Sequence, residues 1–173
     1  FPWEFDVAFD GQQVKVRGEL VWFPAETPFG PLFIGIIGLA PLAFWRRGST
    51  RLVAANLAAI GALALFVATM QYAATPVDRS FPSELILPAL SIVLAIGSLA
   101  LLSRPIRSTA WRVLAGIALI VWSISTADVL TAPVLTSALS TAVERSLVGL
   151  ALVSSIALVV IDAVEGVTAQ DAH

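Results

Sequence analysis

The sequence has few of the side chains that carry most catalytic and metal chemistry. It contains no cysteine, one histidine at its last position (His173), one methionine (Met70) and one lysine (Lys15). Disulfides, thiolate metal sites and cysteine nucleophiles are therefore excluded, and copper, zinc and haem sites lose most of their usual ligands. No G-x-S-x-G motif or phosphate-binding glycine loop is present. We predict no catalytic, cofactor-binding or metal site, and no enzymatic activity by this chain alone.

Charged residues are also scarce. They make up 13% of the chain, whereas 58% of the residues are hydrophobic, and soluble domains carry roughly 25% charged residues. A charge at the centre of a bilayer costs about 2.5–3.5 kcal/mol, so a chain embedded in lipid is depleted in them. The net charge of −2 provides no basic field for nucleic acid. The composition predicts an integral membrane protein whose first partner is the lipid bilayer, with no nucleic-acid partner.

Five apolar runs are candidates for membrane-spanning helices, which need about 20 apolar residues each. They cover residues 29–45, 52–70, 85–102, 111–130 and 146–164. The first run is short, and four spans remain an alternative to five. Residues 134–143 can belong to the fourth helix, belong to the fifth helix or lie at the outer surface. Ser108 or Thr109 is expected to cap the fourth helix. The predicted fold class is mainly α: a polytopic membrane helical bundle with an N-terminal hairpin.

Arginines are distributed unevenly between the loops that join these runs. Six occupy two short segments: Arg46, Arg47, Arg51, Arg104, Arg107 and Arg112. The remaining three each lie close to an acidic residue in the sequence. Because short arginine-rich loops stay on the cytoplasmic side, we predict a bacterial inner-membrane protein with its N-terminus outside and its C-terminus in the cytoplasm. An external N-terminus needs an export signal, which we expect upstream of Phe1.

Residues 2–23 predict a β-hairpin, because Asp10-Gly11 is a strong two-residue turn signal. If each residue pairs with the one whose number brings the sum to 21, the hairpin has one apolar face and one face on which opposite charges lie across from each other. The apolar pairs are Phe5 with Val16 and Val7 with Val14, the charged pairs are Glu4 with Arg17 and Asp6 with Lys15, and Trp3 covers Gly18. A lone hairpin is marginal in water, so its apolar face needs cover. We therefore predict an extracytoplasmic hairpin and Pro-rich joint (1–28), a helical bundle (29–165) and a cytoplasmic tail (166–173).

Small residues recur at helical spacing in the first two runs. The candidate packing positions are Gly35, Gly38, Ala54, Ala58 and Ala62. Small side chains let helix backbones approach closely in lipid. This face can dock another subunit or pack within the chain, and the sequence leaves both interpretations open.

Two acidic residues lie inside apolar runs. Ser125, Asp128 and Thr131 share one helical face at a spacing of three, and an acid within the membrane suggests a proton, ion or substrate contact. The alternative is that Asp128 is hydrated near the outer surface or pairs with Arg145 or Arg79. For Asp162, pairing with an arginine of the 104–112 segment is favoured over a functional role.

The segment 3–24, WEFDVAFDGQQVKVRGELVWFP, has an Asp-Gly turn, alternating valines and a proline at the start of the helices. It resembles the juxtamembrane segment of uncharacterised actinobacterial membrane proteins found near periplasmic copper-handling proteins. The resemblance implies a cell-envelope setting with a link to copper, and it assigns a role to no individual residue.

Three functions follow as hypotheses. The first is a non-catalytic membrane subunit that scaffolds or stabilises a larger membrane complex through its helices and hairpin. A second is a small transporter or channel component that uses Asp128. The third is an accessory subunit of a copper-dependent membrane enzyme or copper-handling system, with the metal held by partners.

Overall fold

The computed structural model describes residues 2–21, 29–39, 50–74, 83–101, 105–132, 135 and 137–170. Over these residues the protein is mainly helical, with one small two-stranded sheet at its N-terminal end. The strands are β1 (Pro2–Phe9) and β2 (Gln12–Glu19). The helices are α1 (Phe29–Gly35), α2 (Thr50–Ala74), α3 (Ile86–Ala100), α4 (Pro105–Ser125) and α5 (Thr141–Gln170).

The hairpin has the register expected from the sequence. Strands β1 and β2 are antiparallel, with Phe5 opposite Val16 and Val7 opposite Val14. Asp10 and Gly11 turn the chain with positive φ angles of 51° and 74°, which are the angles that a type I′ turn requires. The pairing prediction is therefore confirmed, because a slip by one residue would have reversed both faces.

Three helical stretches in the described part of the chain are long and apolar enough to cross a membrane by length and composition. They are Thr50–Ala74, Ser83–Ala100, in which a short 3₁₀ turn precedes α3, and Thr141–Glu165. A shorter apolar stretch, Thr109–Ser125, lies within α4. The first apolar run is described as α1 and a 3₁₀ turn, Ile36–Leu39, and residues 40–45 lie outside the described ranges. The count of five spans stays a prediction.

Helix α4 begins and ends earlier than expected. It starts at Pro105, whose fixed φ and missing N–H suit the first helical position, so the prediction of a cap at Ser108 or Thr109 is wrong. Its regular part ends at Ser125, and a 3₁₀ turn, Ala127–Leu130, completes the run. The hydroxyls of Ser125 and Thr126 both donate to the Trp122 carbonyl, at 2.7 and 3.0 Å. Such side-chain bonds compete with the helical backbone.

The core lies where α2, α4 and α5 meet, around Leu57, Val67, Leu119, Trp122 and Leu158. Helix α3 packs between α2 and α4, and α1 packs on α5. The opposite faces of these helices are apolar as well, and their exposed side chains include Val93, Ile124 and Val160. A helix that is apolar on its exposed face as well as its buried face is typical of a lipid environment.

Candidate functional site

A polar cleft of about 290 Å³ lies at one end of the bundle and is here named the Glu144 cleft. Its walls come from the end of α2, the turn before α3, the turn after α4 and the start of α5. Most of its polar side chains are those of Gln71, Tyr72, Glu84, Ser125, Asp128 and Glu144. Val129, Ala132 and Leu135 provide apolar wall.

Two features hold the α5 side of the cleft in place. The amide of Ala138, just before α5, donates to the Met70 carbonyl near the end of α2 at 3.4 Å. Glu144 lies in the first turn of α5, where the helix dipole favours a negative charge. The chain leading into α5 therefore folds back onto α2 and brings Glu144 against Gln71.

Glu144 is fully buried, and only one of its two carboxylate oxygens accepts a hydrogen bond from a described residue. Its Oε1 accepts a hydrogen bond from Gln71 Nε2 at 2.5 Å. Its Oε2 is buried and has no hydrogen-bond partner among the described residues. A buried carboxylate oxygen without a donor is costly, so this atom is the most unusual polar group of the cleft. Sequence reasoning missed it, because Glu144 lies just outside an apolar run and beside Arg145, as a surface pair does.

Asp128 lies in the 3₁₀ turn after α4 and is exposed on the cleft wall. Because α4 ends at Ser125, the predicted polar face is not one continuous helical stripe. Ser125 and Asp128 both line the cleft. Thr131 donates to the Asp128 carbonyl at 3.4 Å. The hydrated alternative for Asp128 agrees with its exposure, and its functional role stays a prediction.

Arg145 is buried beside Glu144 and ties the cleft walls together. Its Nε donates to the Val129 carbonyl at 3.0 Å, and its Nη2 donates to the Ala132 carbonyl. The guanidinium therefore joins the start of α5 to the turn after α4. The sequence indicated only an external arginine with an acidic neighbour, because it contains no signal for the carbonyls that accept these bonds.

The opposite end of the bundle holds a buried ion pair. Arg112 on α4 and Asp162 on α5 are 2% and 1% exposed, and Arg112 Nη2 lies 2.9 Å from Asp162 Oδ1. Arg112 Nε also donates to both carboxylate oxygens, at 3.0 and 3.1 Å. The predicted pairing of Asp162 with an arginine of the 104–112 segment is confirmed. Arg112 is thus a buried partner of Asp162.

The structure describes only part of the arginine set that predicted the orientation. Arg51 is exposed in the first turn of α2. Arg46, Arg47, Arg104 and the side chain of Arg107 lie outside what the structure describes. The orientation of the chain in a membrane therefore stays a prediction.

The predicted small-residue positions separate into two groups. A Cβ on Gly35 would lie 2.9 Å from the Gly149 carbonyl oxygen, and one on Gly38 would lie 3.2 Å from that of Leu150. Both glycines therefore allow close packing against α5 within the chain. Ala54 is buried, Ala58 is half-buried and Ala62 is exposed. Docking of another subunit stays a prediction, for which Ala62 is the accessible position.

The apolar face of the hairpin is exposed. Trp3, Phe5, Val7 and Val14 retain 42%, 53%, 37% and 46% of their accessible surface. The Trp3 and Phe5 rings stack with centroids 5.2 Å apart, and the Trp3 ring covers Gly18. On the other face, Glu4 pairs with Lys15 at 3.0 Å and with Arg17 at 2.7 Å. The exposed face thus offers stacked aromatic rings, which suits contact with another apolar surface.

Buried charges in the described ranges lie only at the two ends of the bundle: Glu144 and Arg145 at one end, Arg112 and Asp162 at the other. The buried serines of α3, Ser91 and Ser98, donate to carbonyls of their own helix. No chain of ionisable groups therefore links the ends within the described residues. Nor is any group of three or more His, Cys, Asp or Glu placed there to hold a metal ion.

No protein-family model, no curated protein and no solved structure matches this chain.

Proposed function

We propose that this chain is a non-catalytic integral membrane subunit that scaffolds a larger complex in a bacterial cell membrane. Support for a membrane setting comes from three helical stretches of sufficient length and apolarity. Of the apolar window in Ser83–Ala100, only 28% is buried within the protein. Side chains such as Val93 and Ile96 would otherwise face water, at a cost of about 25 cal/mol per Å² of apolar surface.

The proposed orientation has the hairpin outside and the C-terminus in the cytoplasm. It follows from the arginine-rich segments 46–51 and 104–112. In this orientation the Arg112–Asp162 pair lies near the cytoplasmic end, and the Glu144 cleft faces the outside.

The observation that carries the scaffold proposal is the exposed apolar face of the hairpin. A two-stranded hairpin alone is marginal in water, and this one leaves Trp3, Phe5, Val7 and Val14 accessible. Its register and charged face are well defined, so the exposure does not come from a mispaired strand. A partner surface that covers the rings would stabilise the hairpin and complete an interface.

A transport role for Asp128 has weaker support. Asp128 is exposed, and the described residues provide no buried charged group between the two ends of the bundle. A proton or ion path would need such groups along its length.

The test is purification of the full chain from native membranes in a mild detergent. We expect it to co-purify with one or more membrane proteins at a fixed stoichiometry. Phe5→Thr, which keeps a strand-forming residue, should release the partner, whereas Asp6→Thr on the opposite face should retain it. A monodisperse monomer with an intact hairpin contradicts the proposal, as does equal partner recovery from both variants.

A further inference from the structure

We propose that the Glu144 cleft is a binding site for a small organic cation that carries an ammonium group. This inference is independent of the scaffold proposal, because a cleft within one chain needs no partner subunit. It follows from the charge of the cleft, from an unsatisfied buried oxygen and from the cleft's size and apolar wall.

The described lining of the cleft has one sign of charge. Glu84, Asp128 and Glu144 supply three carboxylates, and none of the described lining residues is lysine, arginine or histidine. The nearby Arg145 directs its Nε and Nη2 to the carbonyls of Val129 and Ala132. The cleft therefore favours a positively charged ligand.

The unsatisfied Oε2 of Glu144 is the acceptor to which we assign the charged group. Glu144 is fully buried, Gln71 satisfies only its Oε1, and Oε2 has no donor among the described residues. An ammonium group has three N–H donors and no acceptor. One of these donors satisfies Oε2 once the Glu144 side chain turns toward the cleft, and the others remain for Asp128 or the hydroxyl-bearing residues of the wall.

The remaining lining selects an organic cation. The described acids do not form a group of three placed to hold a metal ion, so a bare ion lacks a coordination shell. The Tyr72 ring can attract an ammonium through its π face, and Val129 and Leu135 can contact a hydrocarbon body. A volume of about 290 Å³ is close to the lower limit of roughly 300 Å³ for small-molecule sites.

Two sources can supply this chemistry: a soluble primary amine, or the ammonium headgroup of an aminophospholipid. Both place the same group on Glu144. The first measurement uses 2-phenylethylamine and its neutral analogue 2-phenylethanol, titrated calorimetrically into the full chain in neutral detergent. We expect the amine to bind at least about tenfold more tightly than the alcohol, because hydrogen bonds between charged groups are roughly twice as strong as those of neutral groups.

Variants assign the binding to the cleft. Glu144→Gln and Asp128→Asn should each weaken amine binding, Glu144→Gln by about tenfold or more. Asp6→Asn, which removes an exposed acid from the hairpin, should leave the affinity unchanged. Should Glu144→Gln fail to fold, Asp128→Asn decides, because Asp128 is exposed and its loss does not open the core.

A second measurement distinguishes the sources. The amine titration is repeated in nanodiscs of phosphatidylglycerol with and without phosphatidylethanolamine. Competition by phosphatidylethanolamine assigns the site to a lipid headgroup, and equal affinities assign it to a soluble amine. Either result supports an ammonium site.

Four results overturn the proposal. The first three are no binding of the amine, equal binding of amine and alcohol, and binding that survives both cleft variants unchanged. Binding that emerges only in Arg79→Gln also overturns it, because a cation of this chain would then occupy the cleft. None of these results bears on whether the hairpin recruits a partner, so the two proposals fail separately.

Discussion

The two ends of helix α5 each carry a buried carboxylate, but in different states. Asp162 receives three contacts from the Arg112 guanidinium, all between 2.9 and 3.1 Å. Glu144 receives one bond from a neutral amide, and its second oxygen has no described donor. The acid near one end of the helix thus pairs with a cation through both oxygens, whereas the acid at the other end has one oxygen without a donor.

This difference separates a structural role from a binding role. Both carboxylate oxygens of Asp162 are satisfied within the chain, although Arg112 Nη1 is buried without a hydrogen-bond partner among the described residues. Losing either member of the pair leaves a buried charge without compensation. A buried acid with an oxygen that lacks a donor is costly unless another group supplies one. The Asp162 end therefore holds α4 on α5, whereas the Glu144 end is where we expect binding. Four predictions test this contrast.

The largest effect on stability is expected from breaking the Arg112–Asp162 ion pair. Asp162→Asn removes the charge that Arg112 neutralises, so the buried guanidinium is left uncompensated. We expect the free energy of unfolding to fall by about 3–5 kcal/mol, measured by denaturant unfolding in mild detergent. A loss below about 1 kcal/mol would show that water or lipid headgroups reach this pair.

The double variant Arg112→Met, Asp162→Leu provides the control. Replacing both members of a buried pair by apolar residues is often neutral or stabilising. The double variant should therefore regain most of the stability that Asp162→Asn loses. Equal losses in the two proteins would assign the effect to side-chain packing instead of charge.

The next largest effect on stability is expected at Arg145, which lies beside Glu144 at the start of α5. Arg145→Met removes the donors to the Val129 and Ala132 carbonyls. With about 1–3 kcal/mol for each buried unsatisfied group, we expect a loss of about 2–3 kcal/mol in the same unfolding assay. Arg17→Met on the exposed hairpin face is the matched control and should change stability little. Equal stability of the two variants contradicts a structural role for Arg145.

A smaller effect is expected between the two ends, where α1 packs on the middle of α5. A Cβ on Gly35 would lie 2.9 Å from the Gly149 carbonyl oxygen and 2.8 Å from Val153 Cγ2. Gly35→Ala should therefore push the helices apart and destabilise the protein by about 1–2 kcal/mol. Gly97→Ala meets nothing within 4 Å and should stabilise α3 by up to about 1 kcal/mol. If Gly35→Ala also stabilises the protein, α1 is not tightly packed against α5.

The sequence predicted the features that depend on local pattern. The Asp10-Gly11 turn and alternating side chains were sufficient for the hairpin register, because a slip by one residue exchanges both faces. Asp162 lay within an apolar run, so it needed a partner, and the arginine segment predicted at the same end of the bundle supplied Arg112. Long apolar runs were sufficient to place three of the helices.

The Glu144 cleft was not predictable in the same way. Glu144 and Arg145 lie at the edge of an apolar run, where the sequence alone does not decide whether a side chain is buried. Their burial depends on the segment before α5 folding back onto α2, through the Ala138–Met70 bond. This is a long-range contact between residues with no distinctive side chains. The sequence selected Asp128 instead, which lines the same cleft but is exposed.

The smallest effect is expected from Glu144→Gln, the direct counterpart of Asp162→Asn. The amide keeps an oxygen that can accept from Gln71, and it replaces the unpartnered carboxylate oxygen. The substitution removes the cost of burying a negative charge. This gain offsets the lost interaction of the charge with the α5 N-terminus, which is worth about 0.3–1 kcal/mol. We therefore expect stability to change by less than about 1 kcal/mol in the unfolding assay, although amine binding weakens.

A loss of 3–5 kcal/mol in Glu144→Gln, as large as that expected for Asp162→Asn, would contradict the contrast between the ends. Glu144 would then be a structural acid whose charge the fold requires, as Asp162 is. Adding 2-phenylethylamine separates the two cases further, because a ligand that binds the folded state raises its stability by mass action. The wild-type protein should gain stability in the amine, Asp162→Asn should gain a similar increment, and Glu144→Gln should gain much less.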